Sequence, residues 1–246
     1  MKKRVTVISN VVIVCVLVGL GVAVFTTDLS NVFLSVGAPV YNGSRDGDKV
    51  SLMFVVEDDA RYLPEIMDLL KDKGVPATFF VGGRWAGLNQ ATAKQIAEDF
   101  EIANHGYNNR SLAKLKESEQ HKEIQNCHSM VYTITSSSQL DVDESGQVQG
   151  GVESKAGVAM KLFSPPNGSF NKTTLKSAER LGYRTVMWSK DATAGDIFTK
   201  ATADVRSGDL VRLKPSLSAY SQLLGILTEY GRKGFNIVKV SENILA

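Results

Sequence analysis

The sequence predicts an α/β protein, a parallel sheet or barrel of roughly 200 residues behind an apolar N-terminal segment. Compact apolar runs alternate along the body with stretches whose apolar residues recur at helical spacing. Gly, Asn and Ser punctuate the changeovers, as strand–helix units require. The 246 residues are 43% hydrophobic and 22% charged, and 21 Gly with 6 Pro exclude a collagen-like or low-complexity chain.

The elements follow in order. Residues 1–4 are a basic start and 5–27 carry no charge. A run of about 20 apolar residues matches the hydrocarbon thickness of a bilayer. Lys2, Lys3 and Arg4 before it and Asp28 behind it orient the start toward the cytoplasm. The segment reads as one transmembrane signal anchor with the domain outside, a single-pass cell-membrane protein. Cleavage near Gly21-Val22-Ala23 and secretion is the rival.

Residues 28–48 read as a spacer. Lys49–Val56 is an apolar run suited to a buried strand; Leu63, Ile66, Met67, Leu69 and Leu70 then repeat at helical spacing up to Gly74. Ala77–Val81 is the second strand, 90–100 a helix and Glu101–Asn104 the third strand, followed by helix to about Tyr132. The polar, acidic, Gly-rich stretch from Ser136 to Gly151 reads as an exposed loop. Met160–Phe163 is a strand, Asn171 caps a helix ending at Gly182, and strands at Arg184–Trp188, Leu210–Leu213 and Phe235–Val238 flank a helix over 216–232.

Charge and cysteine limit the function classes. Without Lys2, Lys3 and Arg4, 28 basic residues become 25 against 26 acidic ones, so the body has no electrostatic footprint for nucleic acid. Cys15 and Cys127 cannot make a disulfide framework, and Cys127 reads as a buried apolar side chain. His121 and His128 lie on a polar helical stretch and read as solvated.

Several segments together resemble the polysaccharide deacetylase (NodB-homology, carbohydrate esterase 4-like) family. They are Val50–Phe54, Pro76–Gly82, Glu101–Tyr107, Phe163–Asn171, Gly182-Tyr183 with Met187–Ser189, Gly208–Val211 and Val238–Asn243. The Asn104-His105-Gly106-Tyr107 segment is similar to the sporulation-associated subgroup. The resemblance spans 49–246 and implies a distorted (β/α)7-type barrel acting on cell-wall glycan.

Removing an N-acetyl group needs an activated water, a Lewis acid at the carbonyl and a proton for the leaving amine. By resemblance the family meets this with a strand-end Asp pair (base, then metal ligand), two metal-binding His four apart, an Arg-Pro-Pro motif and a late acid His. In this sequence the base position is Val55 and the metal positions are Val56, His105 and Asn109. Ser164 stands for the Arg and Lys214 for the acid His. One ligand of three, with neither base nor acid, predicts a degenerate member that needs no cofactor and binds peptidoglycan or an envelope protein. Ser164, Pro165, Pro166, Asn167, Trp188 and Asp191 are its candidate glycan groove. The alternative is an active or weakly active N-deacetylase using zinc or cobalt at a replacement site of Glu57, Asp58, Asp59 and His105; without it, Glu57–Asp59 read as a solvated acidic turn. A structural envelope or sporulation protein is the third reading.

The anchor reading predicts that the protein fractionates with membranes and that its domain is open to protease added from outside. A soluble mature form beginning near Val24 would show a cleaved signal instead.

Overall fold

A computed structural model describes residues 37–139 and 153–244, and Ala38–Ala246 form one compact unit. The anchor segment 5–27 lies outside the described residues, among which no helix is long and apolar enough to cross a membrane.

Strands β1 (Lys49–Val56), β2 (Thr78–Val81) and β3 (Glu101–Asn104) alternate with helices α1 (Leu63–Asp72), α2 (Gly83–Leu88) and α3 (Gln90–Asp99). Helix α4 (Glu117–Thr135) and a short antiparallel pair, β4 (Ser137–Gln139) and β5 (Glu153–Lys155), follow. The predicted loop thus begins as a strand; its residues 140–151 lie outside the described ones. Then come β6 (Leu162–Phe163), α5 (Lys172–Arg180), β7 (Arg184–Thr185), β8 (Lys190–Asp191) and α6 (Ile197–Thr202). The chain continues through β9 (Leu210–Leu213), α7 (Leu217–Arg232), β10 (Asn236–Ile237) and α8 (Val240–Ile244).

All pairs of the main sheet are parallel, in the order β7-β6-β3-β2-β1-β9-β8, with β10 beside the start of β1. This is an α/β half-barrel consistent with the (β/α)7 expectation. Residues 38–48, read from the sequence as spacer, join this unit. Val40 bridges Val186 just past β7, Asn42 bridges Asp209 just before β9, and Arg45 pairs with Asp209 at 2.7 Å.

The side-chain alternation of β1 builds two cores. Val50, Leu52, Phe54 and Val56 pack outward with Phe79, Val81 and the inner faces of the helices. Met53 and Val55 point the other way, into the barrel, against Phe80, Ala103, Leu162 and Val186. Both faces are covered, so β1 is buried from Val50 onward and reads as a continuous apolar run.

Asn171 caps α5 as predicted, its side chain accepting from the Thr174 N–H at 3.0 Å. His128 departs from its solvated reading. It is half-buried, with Nδ1 2.6 Å from the Tyr183 hydroxyl, to which Asn104 also donates.

Helix α2 packs on α4 almost backbone to backbone. A Cβ added at Gly83 would stand 2.6 Å from the Tyr107 ring and 2.7 Å from Cys127 Cα. Gly83→Ala is therefore expected to cost about 1–3 kcal/mol in urea denaturation, the usual penalty of overpacking. An unchanged midpoint would show that the contact relaxes freely.

Candidate functional site

The site lies at the carboxyl ends of β1, β2, β3 and β9, where parallel α/β folds collect their chemistry. Glu57 follows β1, His105 follows β3 and Lys214 follows β9. Glu57 Oε1 is 2.8 Å from His105 Nε2, and Lys214 Nζ donates to Glu57 Oε2 at 3.1 Å. One carboxylate thus spans two cationic-capable groups and ties three strand ends together. The His105 side chain is buried and that of Glu57 nearly so, whereas Lys214 is half exposed.

The Glu57 carboxyl is pushed up by burial. The hydrogen bond and charge of His105, followed by those of Lys214, outweigh this and hold it at about 2.

The loop carrying Tyr107, Asn108 and Asn109 is pinned from below. The buried Glu123 carboxylate on α4 accepts from the N–H groups of Tyr107 (3.0 Å) and Asn108 (2.8 Å) and from Asn108 Nδ2 (3.0 Å). Asn109 adopts φ 52°, a left-handed conformation that Asn tolerates, and its Oδ1 accepts from Asn167 Nδ2 at 3.4 Å.

A cavity of about 310 Å³ opens over this floor. Glu57, Asp58, Trp85, Asn89, His105 and Asn109 are among its lining residues. Cys127 lies beneath, fully buried; its thiol donates to the Val81 carbonyl at 3.3 Å, and burial pushes its pKa up to about 12, so it is an inert core side chain.

The remaining sequence-predicted residues fall as follows. Val55 and Val56 are core residues and do not line the cavity. Of the acidic turn, Glu57 alone meets His105, because it turns inward where Asp58 and Asp59 turn out. Asp59 pairs at the surface with Arg61 at 3.3 Å. The four-residue replacement site is thus not assembled, and the solvated-turn reading holds for Asp58 and Asp59 only.

The predicted groove is half open, with Trp188 half-buried and Asp191 exposed. Ser164, Pro165 and Pro166 are buried, and only Asn167 is exposed among these four neighbours. The Arg212 guanidinium lies 3.5 Å from the Trp188 ring centroid and bonds both Asp191 oxygens, at 3.3 and 2.6 Å. The register that pairs Asp191 with Arg212 puts this cation over the tryptophan face. The sequence reading did not pair Glu57 with Lys214, or Arg212 with Trp188.

Residues 42–142 match the polysaccharide deacetylase family. Those residues, which hold β1 to α4, resemble that family. YlxY of Bacillus subtilis is 29% identical over 211 residues, covering 83% of this chain and 60% of the relative. A peptidoglycan-N-acetylglucosamine deacetylase of Bacillus cereus is 27% identical over 206 residues, 78% of this chain and 86% of that one. The wild-type Bacillus anthracis protein BA3943, described as a CE4 family pseudoenzyme, superposes with a TM-score of 0.71 at 26% identity, over 84% of this chain and 68% of that one. A BA3943 mutant described as having restored enzymatic activity superposes equally well.

The family's divalent metal does not fit these residues. Val55 and Val56 offer no donor atom, the His105 Nε2 is engaged by Glu57, and an amide stands at Asn109. Among the described residues no three His, Cys, Asp or Glu side chains converge on one point.

Because its pKa is lowered, Glu57 stabilises the fold fully above its ordinary value of 4.5 and loses that contribution as pH falls toward 2. Glu57→Gln is expected to cost about 1–3 kcal/mol near neutral pH. The gap between the melting curves of parent and variant should shrink from pH 4.5 to pH 2. A gap independent of pH would contradict the ion bridge.

Proposed function

We propose that this protein is a membrane-anchored, extracytoplasmic polysaccharide deacetylase relative that has lost the hydrolytic step. It acts by binding cell-wall glycan, peptidoglycan in particular. The observation that carries this reading is the Lys214–Glu57–His105 bridge, set at the strand ends where the family places its metal and its acid.

Each requirement of amide hydrolysis fails for a physical reason. Water activation needs a base whose pKa lies near the working pH, and a carboxylate held at about 2 is a very weak one. Lewis-acid help needs a bound cation, and the Lys214 ammonium brings positive charge to the carboxylate that would attract one. The leaving amine needs a proton donor, and Lys214 is engaged with Glu57. What persists is a concave, polar mouth on a rigid scaffold, which is what holding a sugar chain requires. The peptidoglycan substrate in the Bacillus cereus relative's name supports the ligand class, and the description of BA3943 as a pseudoenzyme supports loss of catalysis.

The purified full-length chain should hold zinc or cobalt well below one equivalent, retain peptidoglycan in a pull-down, and release no acetate from chitooligosaccharide or peptidoglycan above background. Equimolar metal together with acetate release, both lost on Asp58→Ala or Asp59→Ala, would overturn the reading. Restoring the family residues through Val55→Asp, Val56→Asp, Asn109→His and Lys214→His should recover metal binding. Adding Glu57→Gly should strengthen it, because the carboxylate otherwise competes for His105. Asn109→His alone should recover none, since two His without a carboxylate leave the site short of a ligand.

A further inference from the structure

We propose that one water molecule is held inside the barrel between His105 and Ser164. It is the next link in the polar chain that Lys214, Glu57 and His105 begin. The site lies behind the mouth and does not depend on which ligand the mouth takes.

Two buried atoms require a partner there. His105 Nδ1 and Ser164 Oγ have no hydrogen-bond partner among the described residues, although His105 is 1% and Ser164 0% exposed. A polar atom orphaned at that depth is costly, and folded proteins supply it with a protein group or an ordered water.

The pleat of the sheet brings the two residues together. Ala103 and Leu162 point into the barrel. Asn104 and Phe163, which pair across β3 and β6, point outward: Asn104 donates to the Ile124 carbonyl of α4, and Phe163 packs in the layer under the helices. The next residue of each chain, His105 and Ser164, therefore points inward again. The ladder reaches this level, because the Ser164 N–H donates to the Asn104 carbonyl at 3.0 Å. His105 and Ser164 are thus neighbours across one strand spacing, about 4.8 Å.

Neither atom bonds the other, so the missing partner lies between them. Two hydrogen bonds of about 2.8 Å, joined at a water oxygen, cover a gap of that size. Serine stands where the family resemblance places an arginine, which leaves room on this side of the imidazole.

Chemistry selects water over an ion. The Glu57 carboxylate accepts the Nε2–H of His105, so Nδ1 carries a lone pair in the neutral ring and an N–H in the cation. A water and a serine hydroxyl each donate or accept, so the chain is satisfied in both forms. A metal ion would find one nitrogen and one hydroxyl, too few ligands to hold it. An anion would sit close to the Glu57 carboxylate. Ser164 is then a positioning residue, which fixes the His105 ring through the water while Glu57 fixes its other nitrogen.

Crystals of the full-length protein grown without added metal test the site directly. They should show one ordered water within hydrogen-bond distance of both His105 Nδ1 and Ser164 Oγ. The chain has 3 His, so NMR of the full-length protein labelled at histidine nitrogen resolves His105 in solution. Its Nδ1 resonance should move in Ser164→Ala and return toward the parent position in Ser164→Thr, which keeps the hydroxyl. The His121 resonances should stay in place in both variants. A direct bond from Ser164 to His105, or a metal ion in the gap, would overturn the proposal. A water bonded to His105 but not to Ser164, or a His105 resonance unmoved by Ser164→Ala, would overturn the role of Ser164.

Discussion

A single carboxylate, Glu57, sets the character of the strand-end face. It meets His105 across the width of β2 and Lys214 on the other side of β1, and so joins groups 48 and 157 residues away in sequence. Burying a carboxylate is costly unless opposite charge and hydrogen bonds compensate. Here both oxygens are engaged, so the carboxylate is stable as an anion and correspondingly poor as a base. On the proposed non-hydrolytic reading, the same two contacts also keep the carboxylate from acting as a base.

The rest of the mouth is consistent with that arrangement. The pleat of β1 points Val55 into the barrel beside Phe80 and Ala103, and Val56 outward into the layer under the helices. An apolar residue at each position extends a core, at the strand end where the resemblance would place carboxylates. The loop from Tyr107 to Asn109 keeps its shape because Glu123 satisfies two of its backbone N–H groups from α4. The scaffold is thus rigid around a site whose reactive groups are bonded to one another.

Much of the fold was legible. Strands β1 and β9 were bounded correctly because each is a largely apolar run ended by a charged residue, and Asn171 announced its helix through a side chain suited to capping. Helix α2 escaped notice: six residues with Gly83 and Gly87 have little intrinsic helicity, and close packing on α4 forms it. The two-residue strand β8 carries no periodicity to read. In the site, the family resemblance assigned Val55, Val56, Asn109 and Lys214 to replaced positions. It did not reveal that Glu57 and Lys214 are partners, because an acidic triplet reads as one solvated turn until the strand's direction separates its first member from the others. Nor did it reveal that Arg212 covers Trp188, a consequence of sheet register.

On the proposed reading, the Lys214–Glu57–His105 bridge holds the ground that the family resemblance assigns to a metal. The most direct measurement is anomalous diffraction at the zinc edge from crystals of the protein soaked with zinc. The bridge predicts density in which Lys214 and His105 still contact Glu57, with no anomalous peak bonded to His105. A zinc peak ligated by His105 and Glu57, with Lys214 displaced, would contradict the account.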